Sequence, residues 1–112
     1  MMSAASPKHT STLRLQIDNT LRLERAAFGA KVRASRAILG LSQDQLAARL
    51  GLTQKSVHRI EQGAVEPKVR TIYTIQQFWL DNGIAFENLP DGGFRLIVRG
   101  PSLLRWAELD PK

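Results

Sequence analysis

The sequence contains no cysteine among its 112 residues, which excludes disulfide bonds and thiolate metal sites. It has only two histidines, and no histidine-rich pair, glycine-rich phosphate loop or carboxylate pair with metal-ligand spacing occurs. Ser56 and His58 lie two residues apart in an expected helix, where their side chains diverge and cannot form a catalytic pair. We therefore expect a protein that is not an enzyme and that requires neither a metal nor another cofactor.

Long apolar runs are also missing from the sequence. None approaches the roughly 20 residues that a membrane-spanning helix needs, and the first twelve residues lack the apolar core of a secretory signal. We therefore expect a cytoplasmic protein that has no membrane partner.

Acidic residues are few compared with basic ones. Ten Asp and Glu stand against 16 Lys and Arg, which gives a formal net charge of +6 and a pI of about 10.5. Such a balance suits a polyanionic partner such as nucleic acid, although it also serves solubility alone. Eleven of the basic residues are Arg, whose planar side chain suits contacts to phosphates and bases.

The hydrophobic periodicity predicts a mainly α-helical protein in three parts. Residues 1–19 are expected to form a flexible tail with a short strand over 13–17, because apolar and polar residues alternate there. Residues 20–83 show helical spacing, with a first helix from Thr20 or Glu24 to Leu39 that Gly29 weakens, and a last helix over 68–82. Residues 84–112 predict a β-hairpin around a Gly-rich loop, followed by a short final helix that Ser102 caps.

The stretch from Ser42 to Gly63 predicts two short helices joined by a tight turn. Ser42 and Gln45 fit a capping box at the start of the first helix, Gly51 allows the turn, and Thr53 caps the second helix. The apolar residues would face inward: Leu46, Ala47, Leu50, Leu52, Val57 and Ile60. This is the pattern of a helix-turn-helix, which places its second helix in the DNA major groove. The polar residues of the second helix would face outward, and none is acidic: Gln54, Lys55, Ser56, His58 and Arg59.

These residues resemble the Cro/phage-repressor helix-turn-helix family, also called the xenobiotic-response-element (XRE) type. The resemblance covers about Phe28 to Gly83, and it rests on Arg36, Gly40-Leu41-Ser42-Gln43, Leu46-Ala47, Gly51, Ser56-Val57, Ile60-Glu61, Gly63 and Pro67. It implies a lambda-repressor-like helical bundle that binds operator DNA as a two-fold dimer. The C-terminal β-hairpin and short final helix would then be additions to that bundle.

The resemblance also implies roles for individual residues. The expected base contacts are Gln54, Lys55, Ser56 and Arg59. The expected phosphate contacts are Gln43, Thr53, His58, Arg33 and Lys68, although His58 departs from any fixed family choice and fits a solvated side chain as well. Lys31 and Arg70 are further candidates for phosphate, although each of these lysines and arginines fits an ordinary solvated charge equally well. Arg36 and Glu61 match a pair that forms a structural ion pair between the first helix and the end of the recognition helix.

The function implied is a sequence-specific transcriptional regulator, a repressor that binds a palindromic operator as a homodimer. The alternative is the antitoxin of a toxin–antitoxin pair, which would bind a toxin protein through the C-terminal segment. A third interpretation is an interaction module that has lost DNA binding, which the outward basic and amide residues argue against. We expect the apolar C-terminal segment to form the dimer interface, and the alternative is that it folds back on its own helices.

Overall fold

A computed structural model describes residues 7–109 of the chain, with side chains from residue 11 to residue 107. The elements, in order, are α1 (Pro7–Leu39), α2 (Gln43–Leu50), α3 (Gln54–Glu61), α4 (Val69–Asp81), β1 (Ile84–Asn88), β2 (Phe94–Val98) and α5 (Gly100–Leu109). The prediction of a mainly helical fold with a C-terminal hairpin and a final helix is confirmed. Within residues 7–109, no helix is long and apolar enough to cross a membrane.

The predicted N-terminal tail and its strand at 13–17 are wrong where the structure describes them. Residues 7–19 belong to α1, which runs unbroken for 33 residues; residues 1–6 of the predicted tail lie outside the described part. The alternation of Leu13, Leu15 and Ile17 suggested a strand, but Leu13 and Ile17 also have the i, i+4 spacing of a helix face. The same spacing continues through Leu21, so the helical pattern extends further than the alternating one.

The core lies where α1, α2, α3 and α4 meet. Its buried apolar side chains are Val32, Leu46, Ala47, Leu50, Val57, Ile60, Ile75, Trp79 and Ile84. Ser35 is fully buried in α1, where its hydroxyl donates to the carbonyl of Val32 and accepts from Trp79 Nε1 at 2.9 Å. Both polar groups are therefore satisfied inside the core. Val69, which has the spacing of the α4 core face, is instead 83% exposed.

Gly29 allows α1 and α3 to approach closely. A Cβ atom at this position would clash with the carbonyl oxygen of Ile60 and lie 2.6 Å from the carbonyl oxygen of Glu61. The weak helix propensity of Gly29 suggested a break at this position, but the helix continues through it. The residue is instead buried at the crossing, where only a glycine leaves room for the backbone of α3.

The C-terminal hairpin folds back on the helices. β1 and β2 are antiparallel, with Phe86 opposite Leu96, and the Phe86 ring contacts Trp79 of α4 at 4.7 Å between centroids. Lys31 of α1 donates to Asn88 Oδ1 at 2.6 Å and lies over the rings of Phe86 and Phe94. Lys31 therefore fastens the hairpin and is not placed to contact phosphate; its partial burial lowers its pKa.

The final helix docks beside the end of α4. It begins at Gly100, two residues before the predicted cap Ser102, and Ser102 lies buried inside it. The Ser102 hydroxyl occupies the space that a side chain on Gly83 would need. Leu103 and Leu104 remain 53% and 70% exposed, so the segment folds back only in part.

The Gly29 crossing predicts that a Gly29→Ala substitution destabilises the fold. Helix propensity alone would predict a gain of about 1 kcal/mol, whereas the clash with the α3 carbonyls predicts a loss of about 3 kcal/mol. Urea unfolding followed by circular dichroism measures the difference. Gly100→Ala is the matched control, because nothing lies within 4 Å of its added methyl group, and it should change stability little. A Gly29→Ala variant as stable as the wild type would contradict the close approach.

Candidate nucleic-acid interface

The helices α2 and α3 form the predicted helix-turn-helix. Ser42 Oγ accepts from the backbone N–H of Gln45, and the Gln45 side chain accepts from the backbone N–H of Ser42. Gly51 ends α2 with a φ of 71°, a left-handed conformation that favours glycine. Thr53 then caps α3 by accepting from the backbone N–H of Ser56. The local hydrogen bonds thus fix both helix starts and the turn between them.

The second of these helices, α3, has an apolar inner side and a basic, amide-bearing outer side. Val57 and Ile60 are buried, at 1% and 5% exposure. The outer side chains are exposed: Gln54, Lys55, His58 and Arg59. Since α3 has no exposed carboxylate, this face does not repel a phosphate backbone.

The only acidic residue of α3, Glu61, is buried against α1. Arg36 Nε donates to Glu61 Oε2 at 2.7 Å, and Arg36 Nη2 donates to Oε1 at 2.9 Å. The structure therefore brings the two predicted members of the ion pair together in a bidentate contact, which is the strongest geometry for these groups. Arg36 also donates to the carbonyl of Leu41, so it holds the end of α1 as well as α3.

The protonation of Glu61 depends on these neighbours. Burial raises its pKa, but the hydrogen bonds from Arg36 and Gln43, together with the charges of Arg36 and Arg33, outweigh burial. The pKa of Glu61 therefore lies below its usual value, and the carboxylate stays charged at neutral pH.

Gln43, the first residue of α2, links this ion pair to the outer face. Its Nε2 donates to Glu61 Oε1 at 3.0 Å, while its Oε1 accepts from Gln54 Nε2 at 2.6 Å. His58 Nδ1 lies 3.4 Å from Gln43 Nε2. Since the carboxylate of Glu61 can only accept, it fixes which end of the Gln43 amide points inward. That orientation in turn presents the Gln43 oxygen to Gln54.

Gln54 is therefore held in one orientation while still able to bind a base. One N–H of its amide is used by Gln43, which leaves the second N–H and the oxygen Oε1. These are the donor and acceptor needed for the N7 and N6 positions of adenine in the major groove. The arrangement presents this pair at the exposed start of α3.

The other predicted contact residues are placed less uniformly. Ser56 is half-buried and accepts from the Thr53 hydroxyl at 2.9 Å, so both hydroxyls already serve the helix cap. Arg33 is exposed on α1 and close enough to Glu61 to affect its pKa. Lys68 is exposed at the start of α4. Lys55 and Arg59 are the exposed basic side chains of α3 itself.

The hydrogen-bond chain from Arg36 through Glu61 and Gln43 to Gln54 was not predicted from the sequence. Its members were assigned separately, as a structural pair, a phosphate contact and a base contact. The sequence contains no local signal for this contact, because a short turn places the start of α3 near the end of α2 and not near Gln43. Only the packing of α3 across α2 brings the two side chains together.

Residues 27–75 match the family model of a helix-turn-helix domain. The match runs from the second half of α1 into α4. It therefore includes all four residues of the hydrogen-bond chain, Arg36, Glu61, Gln43 and Gln54. The chain contains a helix-turn-helix domain. Its presence suggests a DNA-binding regulator, and the match lies within the helical unit expected over residues 20–83.

The Glu61 environment predicts how stability changes with pH. Because the pKa of Glu61 is lowered in the folded state, its stabilising effect is complete above the unfolded pKa of about 4.3 and is lost as the pH falls below it. Replacing Glu61 by Gln leaves Arg36 without a counter-charge, and we expect a loss of about 3 kcal/mol at pH 7. Urea unfolding of both proteins across the acidic range up to neutral pH measures this.

The control for that experiment is Glu87→Gln on the hairpin. Glu87 forms an exposed ion pair with Arg95 at 3.0 Å, and exposed pairs contribute little. The difference in stability between wild type and the Glu61 variant should narrow at low pH. A difference that is constant across the range would contradict the lowered pKa.

Proposed function

We propose that the protein is a sequence-specific transcriptional regulator of the Cro/phage-repressor (XRE) type, and that it represses by occupying a palindromic operator as a homodimer. The recognition helix α3 would lie in the major groove, with Gln54, Lys55 and Arg59 at base edges. Phosphate contacts from Gln43, His58, Arg33 and Lys68 would supply most of the affinity.

The observation that carries this proposal is the orientation of the Gln54 amide. The amide is exposed, yet Gln43 holds it at 2.6 Å, and Gln43 is itself anchored by the buried Glu61. An exposed glutamine with no binding role gains little from being held in one conformation, because ordering a long side chain costs entropy. Preorganisation does favour binding, since that cost no longer falls on the complex.

The basic residues around α3 support a DNA partner over a protein partner. Lys55 and Arg59 are exposed on α3, and the one carboxylate of the helix is paired inside. A module that had lost DNA binding would have no need for exposed basic side chains on this helix. Thr53 and Ser56 support the helix start in this proposal, so Ser56 contributes less to base recognition than its position suggests.

The antitoxin alternative is favoured by one observation in the C-terminal segment. Leu103, Leu104 and Ile97 are exposed at 53%, 70% and 47%, although Phe86, Leu96 and Trp106 of the same segment pack against the core. Exposed apolar side chains on a folded appendage suit a protein partner. A toxin gene next to the gene for this chain would favour this alternative.

We expect Gln54→Ala to lose sequence discrimination while it keeps non-specific binding. Removing the amide should weaken binding to the best duplex selected from a randomised pool by about 10-fold to 100-fold, since a bidentate pair contributes about 1–3 kcal/mol. Fluorescence anisotropy with selected and scrambled duplexes measures both affinities.

Gln76→Ala is the matched control for this measurement. Gln76 is an exposed glutamine of α4, and its removal should leave both affinities unchanged. Full discrimination by the Gln54→Ala protein would refute the assignment of Gln54 to base recognition.

The phosphate contacts predict a steep dependence of binding on salt. The logarithm of affinity should fall linearly with the logarithm of salt concentration, with a slope of about −0.9 for each phosphate neutralised. Arg33→Ala and Lys68→Ala should each make the slope shallower by about 1 and should weaken binding to all sequences equally. Arg95→Ala, which removes an exposed charge paired with Glu87 on the hairpin, should leave the slope unchanged. Affinity that does not respond to salt would refute the phosphate contacts.

A further inference from the structure

The N-terminal half of α1 projects from the body of the protein. Every residue from Ser11 to Glu24 is exposed, and we call this segment the arm. The protein extends 72 Å along its longest axis, with a radius of gyration of 18.2 Å, against about 13 Å for a compact domain of this length. The arm accounts for this elongation, because a helix of 33 residues is about 50 Å long.

One side of the arm carries an apolar stripe. Leu13, Ile17 and Leu21 follow one another at i, i+4 and i+8 and are 46%, 59% and 39% exposed. The same line along α1 continues into Phe28 and Val32, which pack in the core. The stripe therefore lies on the same side of α1 that faces the core further along the helix, but at the arm there is no core for it to face.

The stripe runs into a cavity at the base of the arm. Leu21 and Phe28 line it from α1, and Pro67 and Ile72 line it from the segment leading into α4. Its volume is about 200 Å³. Glu24, Arg25 and Glu66 line the same cavity, so Leu21 joins the stripe to the body through a lining that is partly charged.

The arm also lacks the packing that usually stabilises a helix. Isolated helices of fewer than about 12–15 residues are marginal in water, and most helices in proteins are held by an amphipathic face that packs on something. The arm presents such a face, but nothing else in the described part of the chain covers it. A surface of this kind indicates a partner.

We propose that the arm is the dimer interface and that its partner is the arm of a second copy of this chain. The two arms would pack antiparallel around a two-fold axis at Ile17, so that Ile17 meets Ile17 and Leu13 of each copy meets Leu21 of the other. Such an interface is self-complementary, as a two-fold dimer requires.

The charges beside the stripe fit this pairing. Arg14 and Asp18 lie along the same edge of the stripe. When two helices pack antiparallel around a two-fold axis, this edge of one helix lies beside the same edge of the other. Arg14 of each copy therefore faces Asp18 of the other, which gives two matched pairs of opposite charge. The arm carries both signs of charge, with Asp18 and Glu24 among its arginines, which suits another protein chain better than a phosphate backbone.

The position of the axis also matches the geometry of an operator. The helix from Ile17 to Gly29, where α3 contacts α1, spans about 18 Å. Two such spans place the α3 contacts of the two copies about 36 Å apart. Half-sites on DNA that are one helical turn apart are separated by about 34–36 Å, so the arm dimer would present both recognition helices to one face of the duplex.

The arm dimer itself does not depend on the proposed function. Only its role in placing two α3 helices on one operator rests on that function. Three apolar side chains from each copy form a small interface, and small interfaces are typically weak. We therefore expect self-association at micromolar concentrations, strengthened when both copies bind one operator.

The test compares Ile17→Glu with Leu15→Glu by sedimentation equilibrium of the full chain. Leu15 is 61% exposed, close to the 59% of Ile17, but it lies on the opposite side of the same helix. We expect Ile17→Glu to weaken dimerisation at least about tenfold, because it places like charges together on the axis, and Leu15→Glu to leave it unchanged. Both residues are exposed, so circular dichroism should show both variants folded.

A second test uses the absence of cysteine. Ile17→Cys should form a disulfide-linked dimer under mild oxidation, since two copies of this residue meet at the axis, whereas Leu15→Cys should remain monomeric on a non-reducing gel. A monomeric wild type, or equal cross-linking of the two variants, would overturn the proposal.

The C-terminal segment supplies the competing interface, and Leu104→Glu tests it. Dissociation by Leu104→Glu together with an intact dimer for Ile17→Glu would overturn the arm proposal in favour of the tail. Failure of the proposed function has a different signature, because the arm would still dimerise while the wild-type protein selects no DNA sequence.

Discussion

The buried carboxylate of Glu61 is the constraint on which the rest of the helix-turn-helix depends. A charged group in the interior must be paired and hydrogen-bonded, or the fold loses several kcal/mol. Arg36 supplies the charge and two hydrogen bonds, and Gln43 supplies a third. Each of these three residues comes from a different helix, so satisfying one carboxylate fixes the mutual positions of α1, α2 and α3. Gly29 is part of the same constraint, because the carboxylate reaches Arg36 only if α3 lies directly against α1.

The same constraint reaches the outer surface. Because Glu61 only accepts hydrogen bonds, it determines the orientation of the Gln43 amide, and Gln43 determines that of Gln54. Helix α3 thus has one exposed glutamine whose conformation is set from within the core, while its neighbours Lys55 and Arg59 are exposed to solvent. In the proposed function, Gln54 is preorganised for base recognition, whereas Lys55 and Arg59 would lose side-chain freedom when they reach base edges.

The sequence predicted most of the helical domain because local signals agree there. Caps at Ser42 and Thr53, the turn at Gly51 and the apolar periodicity of α2 to α4 all indicate the same elements. It failed where two periodicities overlap, at Leu13 to Ile17, because alternating apolar residues on a projecting helix resemble a strand. It also misjudged Gly29, since helix propensity describes a helix alone and cannot include the backbone of α3. Lys31 was considered as a phosphate contact for a related reason. Its aromatic and amide neighbours on the hairpin lie more than fifty residues away along the chain.

The long helix α1 connects the features that local sequence signals could not relate. It carries the arm at one end, the crossing with α3 at Gly29 and the ion pair through Arg36 near the other end. Had the helix broken at Gly29, the direction of the arm would have been independent of the position of α3. Because it continues without a break, any partner that holds the arm also sets the position of the recognition helix, within the stiffness of a single α-helix. In the proposed arm dimer, the separation of the two α3 helices is therefore determined by the number of residues along α1. Inserting or deleting residues between Ile17 and Gly29 would change the spacing of the half-sites that such a dimer could bind.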